Sequence, residues 1–357
     1  MVDGFSAGFA AVSANCLLSS DVGERCNGGV AMNTETIRFY CGVNEMTWNH
    51  HPVQPGSYAC IAPVYGRSLR TKARNRVQVP AATQIIQDSG AFSDGPGQRL
   101  SIEAALDRQL AHAETYGYAA QVTHRASYDL LIDEKWSEGR RHKERWSELD
   151  AQAAVEETVH AATYLANHRQ GKRAILSVQG VSAKQYLACA QHIVPLLEPG
   201  DILGLGGFCI LGKFHSLLAV FQETMSLLLP FLAREGVEWV HVWGVCWPPA
   251  LEVLTWLAAA AGIKVSVDSA HPSFHPVMGQ WGYGDWRLKH YLRPQVQDSC
   301  RSHQFERCER CRGLERIRHV SAVRSWLAHF PLTAPASLST PKQLSLFTPF
   351  PESEVSL

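Results

Sequence analysis

The sequence predicts an α/β fold, a (β/α)8 or TIM barrel, and three observations lead to this prediction. Eight short apolar runs have the length and composition of buried strands, and helix-length segments separate the later runs. The 357 residues also leave room for a barrel of about 250 residues with appendages. The predicted strands are 37–42, 58–64, 83–88, 128–133, 174–179, 202–206, 239–244 and 264–268.

Helices are predicted between the later strands from the spacing of their apolar residues. They cover 102–115, 151–167, 183–197, 215–233 and 249–261. Gly262 directly follows the last of them, at the position where a glycine commonly ends a helix. This alternation of strand and helix favours a parallel barrel over a sandwich.

Six of the predicted strands end in chemically useful or glycine residues. In a barrel the carboxyl ends of all strands meet at one face, and active sites lie there. A single strand-end aspartate is often only a helix N-cap or a loop anchor, and a strand-end glycine often marks a turn. Together they predict one active site built from Asp88, Asp133, Gln179, Gly206, Gly207, Gly244 and Asp268.

The composition is that of a soluble globular protein, with 46% hydrophobic and 18% charged residues. The formal net charge is zero, so nucleic-acid binding cannot be inferred from the global charge. Two basic segments, 67–76 and 139–146, suit phosphate contacts near the barrel mouth, although such runs are more often solvated faces. The chain has no basic, apolar leader and no long uninterrupted apolar run, and its ten cysteines suit a reducing compartment. We therefore expect a cytoplasmic protein with no membrane span.

Four segments are predicted along the chain. Residues 1–36 form an N-terminal extension, 37–294 the barrel, and 295–330 a cysteine-bearing segment with a helix. Residues 331–357 form a Pro/Ser/Thr-rich tail that we expect to be flexible.

Two segments read together resemble a known enzyme family. Asp88 to Phe92 is an aspartate-serine-glycine-alanine-phenylalanine run, and Val178 to Gly180 is valine-glutamine-glycine. With the order of the strand ends, they resemble the motifs of the tRNA-guanine transglycosylase superfamily, whose members exchange guanine in a nucleic acid for a 7-deazaguanine. The resemblance runs from about residue 37 to about residue 330.

The resemblance implies roles for the two outer aspartates. Asp268 is expected to be the nucleophile that forms a covalent bond to the sugar. Asp88 is expected to protonate the departing guanine and to deprotonate the incoming base. The enzyme would then be a pentosyltransferase.

The resemblance also implies a slot for the base. Asp133, Gln179 and the Gly206–Gly207 backbone are expected to recognise the edge of a guanine, while Phe92 and Trp243 cover its faces. Ser89 and Gly244 are expected to complete the substrate-binding set. The two aromatic residues would otherwise be ordinary core side chains.

The sequence departs from the tRNA enzymes after the sixth strand, where residues 208–213 carry no carboxylate. The family's tRNA enzymes have an acid there that would meet an aminomethyl group, so a neutral substituent such as the nitrile of 7-cyano-7-deazaguanine is expected. The chain thus looks most like the DpdA-type branch, which inserts 7-deazaguanines into DNA. A tRNA enzyme and a non-catalytic nucleic-acid-binding relative remain as alternatives.

The cysteine cluster near residue 300 resembles the family's structural zinc site of three cysteines and one histidine. The pair Cys308 and Cys311 carries the spacing typical of zinc ligands, and free surface thiols are the alternative. The predicted Zn²⁺ ligands are Cys300, Cys308, Cys311 and His329, with His319 and His303 as other choices for the histidine.

The tail contains the run glutamine-leucine-serine-leucine-phenylalanine at 343–347. It resembles the short peptide by which bacterial proteins bind the DNA sliding clamp. A sliding clamp is therefore an expected partner, besides DNA and the free deazaguanine base.

Overall fold

The chain folds as a closed barrel of eight parallel strands joined in sequence order, β1 to β8. The structure is a computed structural model, and it describes residues 37–43, 58–63, 84–94, 99–130, 132, 146–209, 217–245 and 248–269. The strands are β1 Arg38–Val43, β2 Tyr58–Ile61, β3 Gln84–Gln87, β4 Val122–Ala126, β5 Arg173–Val178, β6 Ile202–Leu205, β7 Trp239–Val242 and β8 Lys264–Ser269. The predicted TIM-barrel class is confirmed, because β8 pairs in parallel with β1 and closes the sheet.

The described part of the chain contains five α-helices, which pack against the barrel strands. They lie close to their predicted positions in the sequence. They are α1 Ile102–Tyr116, α2 Glu148–Asn167, α3 Ala183–Ile193, α4 Leu217–Arg234 and α5 Pro248–Ala261. Serine N-caps begin α1, α2 and α3, since each hydroxyl accepts a backbone N–H of the first turn. Gly262 has a φ of 71° and ends α5, as predicted.

The fourth strand is not where the sequence predicted it. β4 covers Val122–Ala126, whereas 128–130 is irregular backbone beyond its end, so the predicted strand 128–133 is wrong. The leucine and isoleucine residues at 130–132 favoured the later position, because the true strand contains threonine, histidine and arginine. These polar groups have partners inside the protein: Thr123 Oγ1 donates to the Ile85 carbonyl at 3.0 Å, and Arg125 Nε donates to Gln87 at 3.1 Å. Such pairing offsets part of the cost of burying them, although Arg125 Nη1 has no hydrogen-bond partner among the described residues, and a single sequence does not reveal these partners.

Side chains that alternate along the strands fill the barrel interior. Asp88 lies two residues beyond the interior residue Ile86 and therefore follows on the same face at the mouth. Asp268 lies opposite Tyr40 in the register of β8 with β1. The alternation of side chains along β3 and β8 therefore directs both aspartate side chains toward the barrel axis. The interior cluster comprises Tyr40, Cys60, Ile86, Ala126, Ile175 and Ile202.

A larger apolar core lies between the strands and the surrounding helices. Helices α4 and α5 each contribute six buried residues to it. By length and composition α4 could cross a membrane, with a mean hydropathy of 1.3. In the barrel, however, its apolar residues have a core to occupy. Those buried in this core are Leu217, Phe221, Met225, Leu228, Leu229 and Leu232.

Candidate active site

Six strand ends converge on the carboxyl face of the barrel and carry its candidate site. Asp88 follows β3, Asp129 follows β4, and Gln179 follows β5. Gly206 follows β6, Trp243 and Gly244 follow β7, and Asp268 is the fifth residue of β8. Contacts between these groups show that they form one site, and the two ends of the site differ in their electrostatics.

Asp268 is held by donors from β7. Its Oδ1 accepts the Gly244 N–H at 2.7 Å and faces His241 Nε2 at 3.2 Å. The His241 side chain is completely buried, whereas 15% of the Asp268 side chain stays exposed. Hydrogen bonds to an oxygen stabilise the negative charge of a carboxylate. The Asp268 carboxyl is therefore held in one orientation and stays accessible at the mouth.

Asp88 lies in the opposite electrostatic situation. Burial raises the pKa of its carboxyl from 3.8 to about 7, and the charges of Asp268 and Asp129 act in the same direction. Hydrogen bonds from the Gly90 and Ser89 backbone oppose this rise, but the Gly90 N–H lies 3.4 Å from Oδ1, and the Ser89 hydroxyl is no nearer at 3.5 Å. Asp88 can therefore carry a proton near neutral pH.

The loop that carries Asp88 is anchored from helix α1. Gly90 has a φ of 80°, and Arg108 Nη2 donates to the Ser89 carbonyl at 2.9 Å. Arg108 also forms an ion pair with Asp94 at 2.7 Å, at the other end of the loop. Phe92 projects from this loop and is 43% exposed, a position from which a flat aromatic face can meet a ligand.

The strand ends below Asp88 are joined by a buried amide network. Gln109 Nε2 of α1 donates to the carbonyls of Asp88 and Ala126, both at 3.0 Å. Gln87 donates to the Gln109 carbonyl at 2.6 Å and accepts from Arg125 at 3.1 Å. Because Gln109 bridges the ends of β3 and β4, it fixes the spacing of the two loops that carry Asp88 and Asp129.

Cys60 of β2 lies between the two outer aspartates. Burial raises the pKa of its thiol well above the ordinary value, and the charges of Asp268 and Asp88 add to that effect. The thiol therefore stays protonated, and it is close enough to Asp268 to hydrogen-bond the carboxylate. This rules Cys60 out as a thiolate nucleophile and leaves it as a weak donor.

Asp129 and Gln179 form a buried polar pair beside Asp88. Gln179 Nε2 donates to Asp129 Oδ2, while Arg99 Nη1 donates to the Asp129 carbonyl at 3.2 Å. Burial raises the pKa of Asp129, although the Gln179 hydrogen bond and the charge of Arg99 oppose the rise. Gln179 is completely buried, and among the described residues its Oε1 has no hydrogen-bond partner. A buried acceptor without a donor is costly, so this atom suits a ligand N–H.

Gly206 lies against that pair and leaves room for it. A Cβ at this position would lie 2.0 Å from Gln179 Nε2 and 3.1 Å from Asp129 Oδ2. Gly207 has a φ of 81°, and a Cβ there would lie 2.5 Å from the Tyr186 hydroxyl. Tyr186 Oη in turn donates to the Gly206 carbonyl at 2.7 Å. Glycine is therefore required at positions 206 and 207, where the backbone comes close to the Asp129–Gln179 pair.

Trp243 follows β7 at the mouth and contacts both β7 and β5. Its ring packs edge to face against His241, with centroids 4.3 Å apart, and its Nε1 donates to Ser177 Oγ at 3.2 Å. Gly204 accommodates the indole, since a Cβ there would lie 2.7 Å from Trp243 Nε1. The indole is therefore held in one orientation at the mouth, partly exposed.

The structure brings together most of the predicted site residues that it describes. Asp88, Asp268, Gln179, Gly206, Gly207 and Trp243 lie at the mouth. Ser89 accepts the Ala91 N–H at 3.2 Å inside its own loop, and the Gly244 N–H contacts Asp268, so both support an aspartate. Asp133 lies outside the described residues.

Three residues at the mouth were missed from the sequence. Asp129 was missed because the fourth strand was misplaced. Cys60 and His241 were missed because their relation to Asp268 crosses strands. One feature of the sequence could have identified His241: it lies two residues before Trp243, so both side chains fall on the same face of the strand direction of β7.

The predicted zinc ligands Cys300, Cys308, Cys311 and His329 lie outside the described residues, as do the alternatives His303 and His319. Within the described ranges, no group of three or more His, Cys, Asp or Glu side chains could hold a metal ion. The tail peptide 343–347 also lies outside those ranges.

No protein-family model matches this chain, and no curated protein matches it either.

Proposed function

We propose that the chain is a base-exchange glycosyltransferase that replaces guanine in DNA with a 7-deazaguanine through a covalent aspartyl–sugar intermediate. The observation that carries the proposal is the pairing of Asp88 and Asp268. One carboxyl has its pKa raised to about 7, and the other lies within hydrogen-bond distance of two nitrogen groups at the same mouth. Two carboxyl groups in such different environments suit a proton donor and a nucleophile.

The first half of the reaction opens the glycosidic bond. An oxygen of Asp268 attacks the sugar carbon C1′ and forms the aspartyl–sugar bond as the bond from C1′ to the base nitrogen breaks. The electron pair of the broken bond goes to the guanine, which takes the proton of Asp88 and leaves neutral.

The second half reverses these events with the incoming base. The Asp88 carboxylate accepts the proton of the deazaguanine ring nitrogen, which then attacks C1′. The bond to Asp268 breaks and its carboxylate is restored. No water is consumed, and the sugar–phosphate chain stays intact.

The Asp129–Gln179 pair supplies base recognition in this proposal. The N–H groups of a guanine edge would give the Asp129 carboxylate the hydrogen bonds that burial denies it. The unpaired Oε1 of Gln179 would accept a further N–H of the base, and the Gly207 backbone would address the carbonyl. In this arrangement Asp129 takes the role that the family resemblance implied for Asp133. Phe92 and Trp243 would cover the two faces of the base.

DNA is preferred over tRNA because residues 208–213 carry no carboxylate and because the tail resembles a clamp-binding peptide. The absence of an acid there also favours the neutral 7-cyano-7-deazaguanine as the base. We further propose a cytoplasmic protein whose Cys300, Cys308, Cys311 and His329 hold a structural Zn²⁺. The donor set fits zinc, and elemental analysis that finds no metal in the purified chain would exclude it.

A sliding clamp is proposed as a partner of residues 343–347. A titration of the tail peptide with a bacterial clamp tests this partner. Micromolar association would support it, and no association at high micromolar peptide would remove it together with one reason for preferring DNA.

The test of the function is nucleoside mass spectrometry. DNA and tRNA are each incubated with the protein and 7-cyano-7-deazaguanine, and Asp268→Asn serves as the negative control. We expect the modified nucleoside in DNA and none with the variant. Product in tRNA alone would support the tRNA alternative, and no product in either nucleic acid would contradict base exchange.

A further inference from the structure

A chain of hydrogen bonds runs behind Asp268 across β7 and β8. Trp239 Nε1 donates to Ser266 Oγ at 2.9 Å, and Ser266 Oγ lies 2.9 Å from His241 Nδ1. His241 Nε2 lies 3.2 Å from Asp268 Oδ1. Ser266 and His241 are both completely buried. The chain therefore links the barrel interior to the mouth through atoms shielded from water.

The two ends of this chain determine its direction. An indole N–H can only donate, and an ionised carboxylate can only accept. Ser266 Oγ therefore accepts from Trp239 and has its own hydrogen available for His241 Nδ1. With Nδ1 as the acceptor, a neutral imidazole carries its hydrogen on Nε2 and donates it to Asp268.

The contacts on Asp268 are unequal between its two oxygens. Both N–H donors of β7 meet Oδ1, namely the Gly244 N–H and His241 Nε2, and the Cys60 thiol, a weak donor, lies within hydrogen-bond reach of the carboxylate. An oxygen that already accepts two hydrogen bonds is the poorer nucleophile of the two. Orientation of the carboxylate thus selects which atom can react.

We propose that His241 is the positioning residue for the nucleophile: held by Ser266 and Trp239 with Nδ1 as an acceptor and a hydrogen on Nε2, it fixes Oδ1 of Asp268 and leaves Oδ2 to attack C1′. The catalytic part of this inference rests on the proposed function, whereas the protonation and direction of the chain do not. The geometry also gives Ser266 a role, since it determines which nitrogen of His241 carries the hydrogen.

The direction of the chain is tested by nitrogen NMR of the full-length protein labelled with ¹⁵N-histidine. The His241 signals are assigned by their loss in His241→Gln. We expect an unprotonated Nδ1 and a protonated Nε2, and a shift of the Nδ1 signal in Ser266→Ala. An imidazolium, or a hydrogen on Nδ1, would overturn the proposal without any reference to activity.

The positioning role is tested by single-turnover kinetics of base exchange. His241→Phe should slow formation of the covalent intermediate by up to about a hundredfold with little change in KM, because a misplaced nucleophile costs rate rather than binding. His241→Gln, which can keep an N–H donor, should recover part of the rate. Ser266→Ala should give a smaller loss with the histidine still present. His192→Gln, at an exposed position on α3, is the matched control and should react at the wild-type rate.

The outcomes separate the two proposals. If the wild-type protein exchanges bases and both His241→Phe and Ser266→Ala keep its rate, the positioning role is wrong and the proposed function stands. If the wild-type protein exchanges no base, the proposed function fails, and the NMR measurement still decides the state of His241. Circular dichroism checks that His241→Phe is folded, and Ser266→Ala provides the test if it is not.

Discussion

The β3–β4 side and the β7–β8 side of the barrel mouth each carry an aspartate at a strand end, but the two carboxyl groups have different surroundings. On the β7–β8 side, Oδ1 of Asp268 faces His241 at 3.2 Å and the Gly244 N–H at 2.7 Å. On the β3–β4 side, the hydrogen bonds to Asp88 Oδ1 are 3.4 Å or longer, and burial raises its pKa to about 7.

The difference lies in where the protein places its donors. The donors of the β3–β4 side support the backbone instead of the carboxyl, as Gln109 does for the Asp88 and Ala126 carbonyls. The loop is therefore rigid while the acid itself is poorly solvated. One side places donors on its carboxyl and the other leaves its carboxyl able to hold a proton, a difference that suits the proposed base exchange.

The largest expected effect follows from removing the anion. Asp268→Ala should reduce base exchange by at least about a thousandfold, because it removes the carboxylate proposed to bond the sugar. Asp107→Asn, at an exposed site on α1, should keep the wild-type rate as a control. Steady-state exchange of labelled base measures both, and a wild-type rate in Asp268→Ala would remove the nucleophile assignment.

A somewhat smaller loss is expected from removing the proton. Asp88→Asn should reduce guanine departure by about 10² to 10⁴-fold, the usual contribution of general acid catalysis. In the wild-type protein the departure rate should fall as pH rises through about 7, because the carboxyl with that pKa then loses its proton. The remaining activity of the variant should lack this fall, and a variant that keeps it would assign the titration to another group.

A more modest effect is expected at the base slot. In Gly206→Ala the new methyl group would lie 2.0 Å from Gln179 Nε2, so the Asp129–Gln179 pair must move. KM for the free base should rise about tenfold or more. Gly262→Ala, whose Cβ would meet no atom within 4 Å, controls for general destabilisation of the barrel. An unchanged KM for the base in Gly206→Ala would show that the pair does not recognise it.

The last effect concerns folding stability and not catalysis or binding. The folded Asp88 has a pKa of about 7 and the ordinary value is 3.8. Between pH 3.8 and about 7 the Asp88 carboxyl is ionised in the unfolded chain but protonated in the folded chain. The free energy of unfolding therefore falls as pH rises through this range, and this group causes no further change above about pH 7. Asp88→Asn should therefore gain stability relative to wild type between pH 4 and 7, by a few kcal/mol at most. Urea unfolding across that range measures it, and a difference that does not change with pH would contradict the raised pKa.

Much of the fold could be predicted because strand ends and helix periodicity are local properties of the chain. Asp88, Gln179 and Asp268 were found because each closes an apolar run, and the alternation of the strand then aims it at the mouth. The fourth strand could not be placed in this way, since Thr123 and Arg125 make it look polar until their partners are known.

The electrostatics of the site were less predictable for the same reason. The His241–Asp268 contact joins residues 27 apart on neighbouring strands, and the Gln179–Asp129 contact joins residues 50 apart. Such contacts depend on strand register, which one sequence does not specify. A single sequence best identifies those residues whose role follows from the residues next to them in the chain.

The central claim is that Asp268 forms a covalent bond to the sugar while Asp88 supplies the proton. The most direct measurement is mass spectrometry of the protein mixed with a guanine-containing oligonucleotide in the absence of any incoming base, followed by peptide mapping. We predict an adduct that carries the oligonucleotide minus guanine on the β8 peptide at Asp268, present in wild type and absent in Asp268→Asn. An adduct on another residue, or base exchange that proceeds with no adduct under these conditions, would contradict the account.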